Sequence, residues 1–187
     1  MDNPLKNVNK TNSISENVTR DTLEKIQRNT SQNFWMNFAI WKSSILFLLI
    51  IDQLTKYSAR INLIFNHPVE VIPNVLNWRL LYNTGAAFSV FSNQTFLLAI
   101  ISGLVALGLI IYSLKNLSES SKLKTLFLAF IISGAIGNLI DRVLFSQVTD
   151  FIDLLILPGN FAVFNFADVY INIAVALFIV DWFLDKK

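Results

Sequence analysis

Four long apolar stretches dominate the pattern of hydrophobic and polar positions along the chain. They cover about residues 38–58, 95–114, 124–141 and 166–184. A helix that crosses a lipid bilayer needs roughly 17–25 predominantly apolar residues. The pattern therefore predicts four transmembrane helices. Residues 1–34 are polar and rich in Asn, Ser and Thr, and we expect them to form a disordered or weakly helical tail.

The segments between the first and second helices and between the third and fourth have an unusual character. Residues 59–92 and 143–165 are too long for tight turns and too apolar for solvated loops. Leu76, Trp78 and Leu80 alternate with polar residues, and a period of two is typical of a β-strand. We therefore expect an all-α membrane protein with four transmembrane helices and a small extracytoplasmic β-sheet.

The composition excludes several classes of protein. Hydrophobic residues make up 53% of the chain and charged residues 15%, against about 25% charged residues in a typical soluble domain. A net charge of +2 is too small to indicate a basic surface for binding nucleic acid. The chain has no cysteine and a single histidine, His67, so thiolate and multi-histidine metal sites are excluded. We expect a membrane protein without metal or cofactor, whose titratable chemistry is mostly carboxylate.

The basic residues are distributed unevenly between the two sides of the membrane. Six lie at or before the start of the first helix, three lie between the second and third, and two end the chain. The other two loops contain only Arg60, Arg79 and Arg142. Cytoplasmic loops carry an excess of Lys and Arg. The distribution predicts that both termini are cytoplasmic.

Five ionisable residues fall within the apolar stretches or at their ends: Asp52, Lys56, Asp141, Arg142 and Asp168. An ionisable group at membrane depth costs several kcal/mol unless it is paired, so each is a candidate for a functional role. Asp52 and Lys56 have the spacing and order of a favourable helical ion pair. We interpret Asp141 and Arg142 as charges that hold the neighbouring outer segment in place.

Asp150 and Asp168 are the candidate catalytic pair. The dipeptide Pro158-Gly159 lies midway between them and is a turn signal, so a hairpin would bring the two carboxyl groups together. Two close carboxyl groups share one proton, so that one activates water while the other polarises a carbonyl, as in aspartic proteases. The alternative is that Asp150 is a solvated loop acid and Asp168 is an acid favoured by a helix N-terminus.

Amide side chains accompany these acids at helical spacings. Asn138 precedes Arg142 by four residues, and Asn165 precedes Asp168 by three. Asn165 has the position of an N-cap for the fourth helix, which would place Asp168 at the favoured third helical position. That placement is compatible with a catalytic role for Asp168.

Five short motifs occur in a fixed order between residues 38 and 185. They are Asp52-Gln-Leu-Thr-Lys56, Asn83-Thr-Gly-Ala-Ala-Phe-Ser89, Gly134-Ala-Ile-Gly-Asn-Leu-Ile-Asp-Arg142, Val148-Thr-Asp-Phe-Ile152 and Phe164-Asn-Phe-Ala-Asp168. Together with the four-helix pattern, they closely resemble the bacterial lipoprotein signal peptidases, the signal peptidase II family. The polar tail is the main departure from that family.

The resemblance implies a membrane aspartyl endopeptidase with a β-cradle in the outer loops. It would remove signal peptides from diacylglyceryl-modified prolipoproteins, cutting before the lipidated cysteine. Asp150 and Asp168 match the family's catalytic aspartates. Other positions that the family uses around the site match Asp52, Lys56, Asn83, Gly85, Asn138, Asp141, Arg142, Asn165 and Ala167.

The same resemblance implies a location and partners. We expect the bacterial inner membrane, contact with membrane lipid, binding of globomycin-type inhibitors and no binding of nucleic acid. The alternative function is a small proton-coupled transporter, which would place its acids nearer the midplane, often in repeated halves. Asp153 lies three residues after Asp150 and could be mistaken for a catalytic acid. Residues three apart on a strand face opposite sides, so we do not expect Asp150 and Asp153 to enter one site.

Overall fold

The computed structural model describes residues 4–85, 94–156 and 163–184, with side chains from residue 20 onward. Within these ranges, four helices and three strands follow one another. They are α1 (Pro4–Asn62), β1 (Val69–Ile72), β2 (Leu76–Asn83), α2 (Thr95–Asn116), α3 (Lys122–Phe145), β3 (Val148–Leu154) and α4 (Phe166–Leu184).

All four helices are long and apolar enough to cross a membrane, which confirms the predicted count. Helix α3 is longer than its apolar stretch at both ends, because local caps set its limits. The Ser121 hydroxyl accepts a hydrogen bond from the Lys124 N–H at 2.9 Å, and this N-cap begins the helix. Ser146 ends it in the left-handed conformation, donating its N–H to the Arg142 carbonyl at 3.0 Å.

The polar tail differs from the expectation of disorder or weak helicity. Helix α1 already begins at Pro4 and continues without a break to the membrane stretch. Proline is well suited to the first helical position. Extending an existing helix avoids the cost of nucleation, and an exposed pair between Lys25 and Asp21 at 2.7 Å adds local support. The tail is therefore helical, although its side chains from residue 20 to residue 33 are exposed.

The three strands form one antiparallel sheet in the order β1-β2-β3. The alternation of Leu76, Trp78 and Leu80 correctly predicted β2, and Leu80 is buried. An irregularity between Trp78 and Leu81 shifts the register, so that Leu81 lies opposite Asp150. This pairing fixes the position of Asp150 relative to β2.

The chain returns to β3 just before α4. Phe164 forms an antiparallel bridge with Ile152, with backbone hydrogen bonds of 2.8 and 3.0 Å. The predicted turn at Pro158-Gly159 lies outside the described residues. The bridge nevertheless places the start of α4 beside β3, as the hairpin hypothesis requires.

Helix α3 occupies the centre of the bundle and contacts the other three helices. Glycines permit its closest approaches. A Cβ atom at Gly134 would lie 2.5 Å from the Ala167 carbonyl oxygen, and one at Gly137 would lie 2.5 Å from an Asp52 carboxylate oxygen. Small residues allow membrane helices to pack backbone against backbone. The two glycines thus bring α1 and the first turn of α4 against the same part of α3.

Gly134→Ala should destabilise the fold. The added methyl group meets backbone that cannot rotate away, and overpacking of this kind costs about 1–3 kcal/mol. The matched control is Gly108→Ala on α2, where a Cβ atom meets nothing within 4 Å. That control should be neutral or stabilising by up to about 1 kcal/mol, because Ala favours a helix over Gly. Thermal melts of both purified variants in detergent test the difference, and equal melting temperatures would contradict it.

Candidate active site

Asp150 lies in the middle of β3 and is buried, with 4% of its surface exposed. The Asn165 side-chain amide donates to its Oδ1 at 2.7 Å. The Asn83 side-chain amide donates to its Oδ2 at 3.2 Å. Asp150 is therefore a hydrogen-bonded strand residue, and the alternative of a solvated loop acid is wrong.

Asp168 stands in the first turn of α4 and is half-buried. Its N–H donates to Asn165 Oδ1 at 3.1 Å, while the Asn165 N–H donates to Asp168 Oδ2 at 3.2 Å. This reciprocal arrangement is a capping box in which Asn165 is the N-cap. The Asn138 amide donates to the other oxygen, Oδ1, at 2.8 Å. The helix cap thus also orients the Asp168 carboxyl group.

Two asparagines connect the two carboxyl groups. The amide nitrogen of Asn165 donates both to Asp150 and, at 3.2 Å, to Asn138 Oδ1. Asn138 in turn donates to Asp168. Because every polar atom of these two side chains is used, each amide has a single possible orientation. The structure therefore brings Asp150 and Asp168 into one site, as the sequence predicts.

A buried cation lies beneath the amides. Lys56 has no exposed surface, and its Nζ lies 3.0 Å from Asp52 Oδ2, 3.0 Å from Asn138 Oδ1 and 3.9 Å from Asp141 Oδ2. The predicted helical pair of Asp52 and Lys56 is present. Asp52 also accepts the Ala167 N–H at 3.0 Å, so it joins α1 to the first turn of α4.

Asp141 connects the bundle to the sheet. Its Oδ2 accepts the backbone N–H of Thr149 on β3 at 2.9 Å, and its Oδ1 lies 3.5 Å from Arg60 Nη1. Arg60 also donates to the Thr149 hydroxyl at 2.8 Å. Asp141 thus holds the neighbouring segment, as expected. Neither Arg60 nor Thr149 was predicted as a site residue, although Arg60 is one of the few basic residues in the loops that flank the sheet.

The end of β2 and the turn after it contact the site. Asn83 Oδ1 accepts the Gly85 N–H at 2.9 Å, and the Gly85 carbonyl accepts a long hydrogen bond from Arg142 Nη2 at 3.4 Å. Asn83 therefore connects this turn directly to Asp150, and Arg142 supports the turn from α3.

Asp153 is separate from this group. It lies opposite Asn77 in the sheet, and its carboxylate is 3.5 Å from Arg79 Nη1. Within the described ranges, no cluster of three or more His, Cys, Asp or Glu residues has the arrangement of a metal site.

The charge of the pair is set by its surroundings. Burial, and after it the nearby Asp168 carboxylate, raise the pKa of Asp150 to about 7, although hydrogen bonds from Asn165 and Asn83 act in the opposite direction. A carboxyl group with a pKa near neutrality beside a second carboxyl group is suited to combined acid and base chemistry.

Four helices able to span a membrane, a small sheet and two carboxyl groups held in one site define a multi-pass membrane enzyme. The family profile described as signal peptidase (SPase) II matches residues 44–184. The chain belongs to the signal peptidase II family. The profile covers all the described residues of the site and leaves out the tail.

Relatives and solved structures agree with the profile. A lipoprotein signal peptidase of Coxiella burnetii (strain RSA 331) is 45% identical over 149 residues, covering 78% of this chain and 89% of the relative. One from Listeria monocytogenes (serotype 4b, strain CLIP80459) is 37% identical over 140 residues, covering 75% and 90%. A bacterial membrane enzyme solved at 2.3 Å by the in meso method superposes with a TM-score of 0.72 at 32% identity, covering 79% and 89%. These comparisons give no support to the transporter alternative.

Stability should depend on pH through Asp150. Its pKa in the folded protein is raised above the ordinary value of 3.8 to about 7. Between pH 3.8 and about pH 7, the Asp150 carboxyl group therefore keeps a proton in the folded protein that it has lost in the unfolded chain. The resulting stability is complete below the ordinary pKa and is lost as the pH rises to about 7, by at most about 1.4 kcal/mol per pH unit.

Melting temperatures of the wild type and of Asp150→Asn, measured in detergent from about pH 4 to pH 8, test this expectation. The variant should gain stability relative to the wild type as the pH rises. A difference between the two proteins that does not change with pH would contradict the raised pKa.

Proposed function

We propose that this chain is an aspartic-type endopeptidase that removes the signal peptide from diacylglyceryl-modified prolipoproteins, cutting before the lipidated cysteine. Membership of the signal peptidase II family supports a peptidase acting on prolipoproteins. The aspartic-type chemistry is supported by one observation above all. Asn165 donates to Asp150 and caps the helix turn that contains Asp168, which holds the two carboxyl groups in one buried site.

The two aspartates have different surroundings, and this difference supports separate roles. Asp150 is nearly fully buried, and its pKa of about 7 favours the protonated form at lower pH. Asp168 is half-buried and lies at a helix N-terminus, where the dipole favours a negative charge. We assign the shared proton to Asp150 and the base to Asp168.

The reaction then follows from these assignments. Asp168 takes a proton from a water molecule as the water oxygen attacks the scissile carbonyl carbon, and Asp150 donates its proton to the carbonyl oxygen. When the tetrahedral intermediate collapses, the carbon–nitrogen bond breaks. Asp168 gives its proton to the departing amine, and the diol returns a proton to Asp150. One water has been added across the bond, which leaves a carboxylic acid on the signal peptide and a free amine on the cysteine.

The surrounding residues have positioning roles in this proposal. Asn138 and Asn165 fix the carboxyl groups without competing for protons, because amides do not titrate. Lys56 adds a positive charge behind Asn138. Asp52 and Asp141 neutralise Lys56 and tie Ala167 and Thr149 to the bundle. The turn containing Asn83 and Gly85, supported by Arg142, would contact the substrate backbone.

The membrane location completes the proposal. The protein would lie in the bacterial inner membrane with both termini in the cytoplasm, and its site would face the outer surface. Substrates with a membrane-embedded signal peptide and a lipid on the cysteine would reach the site laterally. Globomycin-type cyclic peptides would bind at the same site as inhibitors.

Asp150→Asn and Asp168→Asn should each reduce cleavage by several orders of magnitude. Asn keeps the shape of Asp but can neither take up the proton nor carry the charge. The double variant should be little worse than either single variant, because residues that act as one unit are not additive. The measurement is the rate at which a lipid-modified prolipoprotein loses its signal peptide, set beside the folded yield of each variant.

Asp153→Asn is the matched control, since Asp153 is on the same strand but pairs with Arg79. It should stay active. Well-folded Asp150→Asn or Asp168→Asn protein that cleaves near the wild-type rate would show that the assignment is wrong. Wild-type protein that fails to cleave any diacylglyceryl-modified prolipoprotein would overturn the proposed function itself.

The proposed orientation has its own test. Reporter domains fused after Leu117, in the turn between α2 and α3, and after Asn74, between β1 and β2, should report the cytoplasm and the exterior respectively. The physical basis is the excess of basic residues on the segments assigned to the cytoplasm. The reverse pattern would overturn the orientation.

A further inference from the structure

A groove of about 380 Å³ lies between the first turns of α2 and the last turns of α3. Its apolar walls are Phe96, Ala99 and Ile100 on α2 and Leu139 and Val143 on α3. One turn further along α2, a Cβ atom at Gly103 would be in ordinary van der Waals contact with Leu139 Cδ2, at 3.7 Å.

Arg142 gives this apolar groove a cationic end, because it lines the groove beside Val143. Its Nε donor is buried and has no hydrogen-bond partner among the described residues. Its Nη2 donates to the Gly85 carbonyl over a long distance of 3.4 Å. A buried donor without a partner costs free energy. The groove therefore suits a ligand with an apolar body and a hydrogen-bond acceptor at one end.

A short chain of contacts connects the groove to the candidate catalytic pair, Asp150 and Asp168. Arg142 contacts Gly85, the Gly85 N–H donates to Asn83, and Asn83 donates to Asp150. A ligand with its polar end at Arg142 would therefore have that end close to the scissile bond.

A second apolar groove, of about 470 Å³, lies between α1 and the sheet and is lined by Trp78, Phe151 and Phe166. It lies on the other face of β3, because successive strand residues point to opposite faces and Phe151 follows Asp150. It therefore has a less direct route to the dyad than the groove beside Arg142.

We propose that the groove between α2 and α3 binds one acyl chain of the substrate's diacylglyceryl group, with Arg142 donating to an ester carbonyl oxygen. This inference rests on the proposed function, in which the lipid is attached to the residue directly after the scissile bond. The lipid must then be attached within a few ångströms of Asp150 and Asp168. The groove beside Arg142 has the composition, the polar end and the position that this requires.

The dimensions set a further expectation. From Leu139 to Ser146, which also lines the groove, the helix rises by about 10 Å. The groove therefore holds the part of the chain next to the ester, and the remainder extends into the bilayer. A membrane phospholipid is the competing occupant, and the test separates the two.

Photocrosslinking locates the chain directly. The probe is a prolipoprotein peptide whose S-diacylglyceryl cysteine carries a diazirine near the ester end of one palmitoyl chain, added to full-length protein in liposomes. We expect labels on residues 95–100 or 139–146, and unlabelled lipopeptide should compete for them. Labels on residues 55–63, or labels that excess phospholipid removes equally well, would overturn the inference.

Labelling does not require cleavage, so the result is independent of catalysis. Labels in the expected groove without any cleavage would support the acyl-chain site and overturn the proposed function. Cleavage with labels elsewhere would do the opposite.

Substitutions in the groove provide a second measurement. Val143 and Leu144 are adjacent and similarly exposed, 67% and 66%, but only Val143 lines the groove. Val143→Trp and Ala99→Phe should lower the ratio of kcat/KM for a dipalmitoyl over a dibutanoyl substrate by about tenfold or more. Leu144→Trp should keep that ratio within about twofold of the wild type. Equal ratios in Val143→Trp and Leu144→Trp would contradict the inference.

Discussion

The burial of Lys56 is the constraint on which the rest of the structure depends. An ammonium group with no exposed surface, on a helix that crosses the membrane, is strongly unfavourable unless negative groups surround it. Asp52 comes from the same helix, whereas Asp141 and Asn138 come from α3. Asp52 supplies an opposite charge from within α1, but Nζ also reaches Asn138 and Asp141 only if α1 and α3 are packed in one register. In this way a local electrostatic requirement specifies a global arrangement.

That arrangement in turn requires close backbone contact. Asp52 can accept the Ala167 N–H only because Gly137 leaves room for its carboxylate. Gly134 likewise leaves room for the Ala167 carbonyl. The buried charges depend on the glycines of α3, because the ion network needs backbone groups within hydrogen-bond distance. As a result, the first turn of α4, and with it Asp168, is held against α1 and α3.

The sequence predicted the elements better than the connections between them. The four helices, β2 and the pair of Asp52 and Lys56 follow from periodicity and spacing, which are local signals. Arg60 contacts Thr149, 89 residues away, and no periodicity reports such a contact. Asn37 was missed for the same reason, although a buried amide that donates to the Leu117 and Ser120 carbonyls closes the other end of the bundle. Composition left the tail between disorder and weak helicity, because it does not show that a neighbouring helix has already supplied the nucleus.

The predicted alternatives for Asn165 and Asp168 also show how a site can be built from ordinary helix chemistry. The sequence predicted Asn165 as an N-cap of α4, in a placement compatible with a catalytic role for Asp168. In the structure one Asn165 side chain serves both the cap and the site, because its oxygen caps α4 while its nitrogen donates to Asp150 and Asn138. The stability of the helix end thereby contributes to the placement of the carboxyl group. Such a device suits a membrane protein, in which few polar side chains are available and each must satisfy several partners at once.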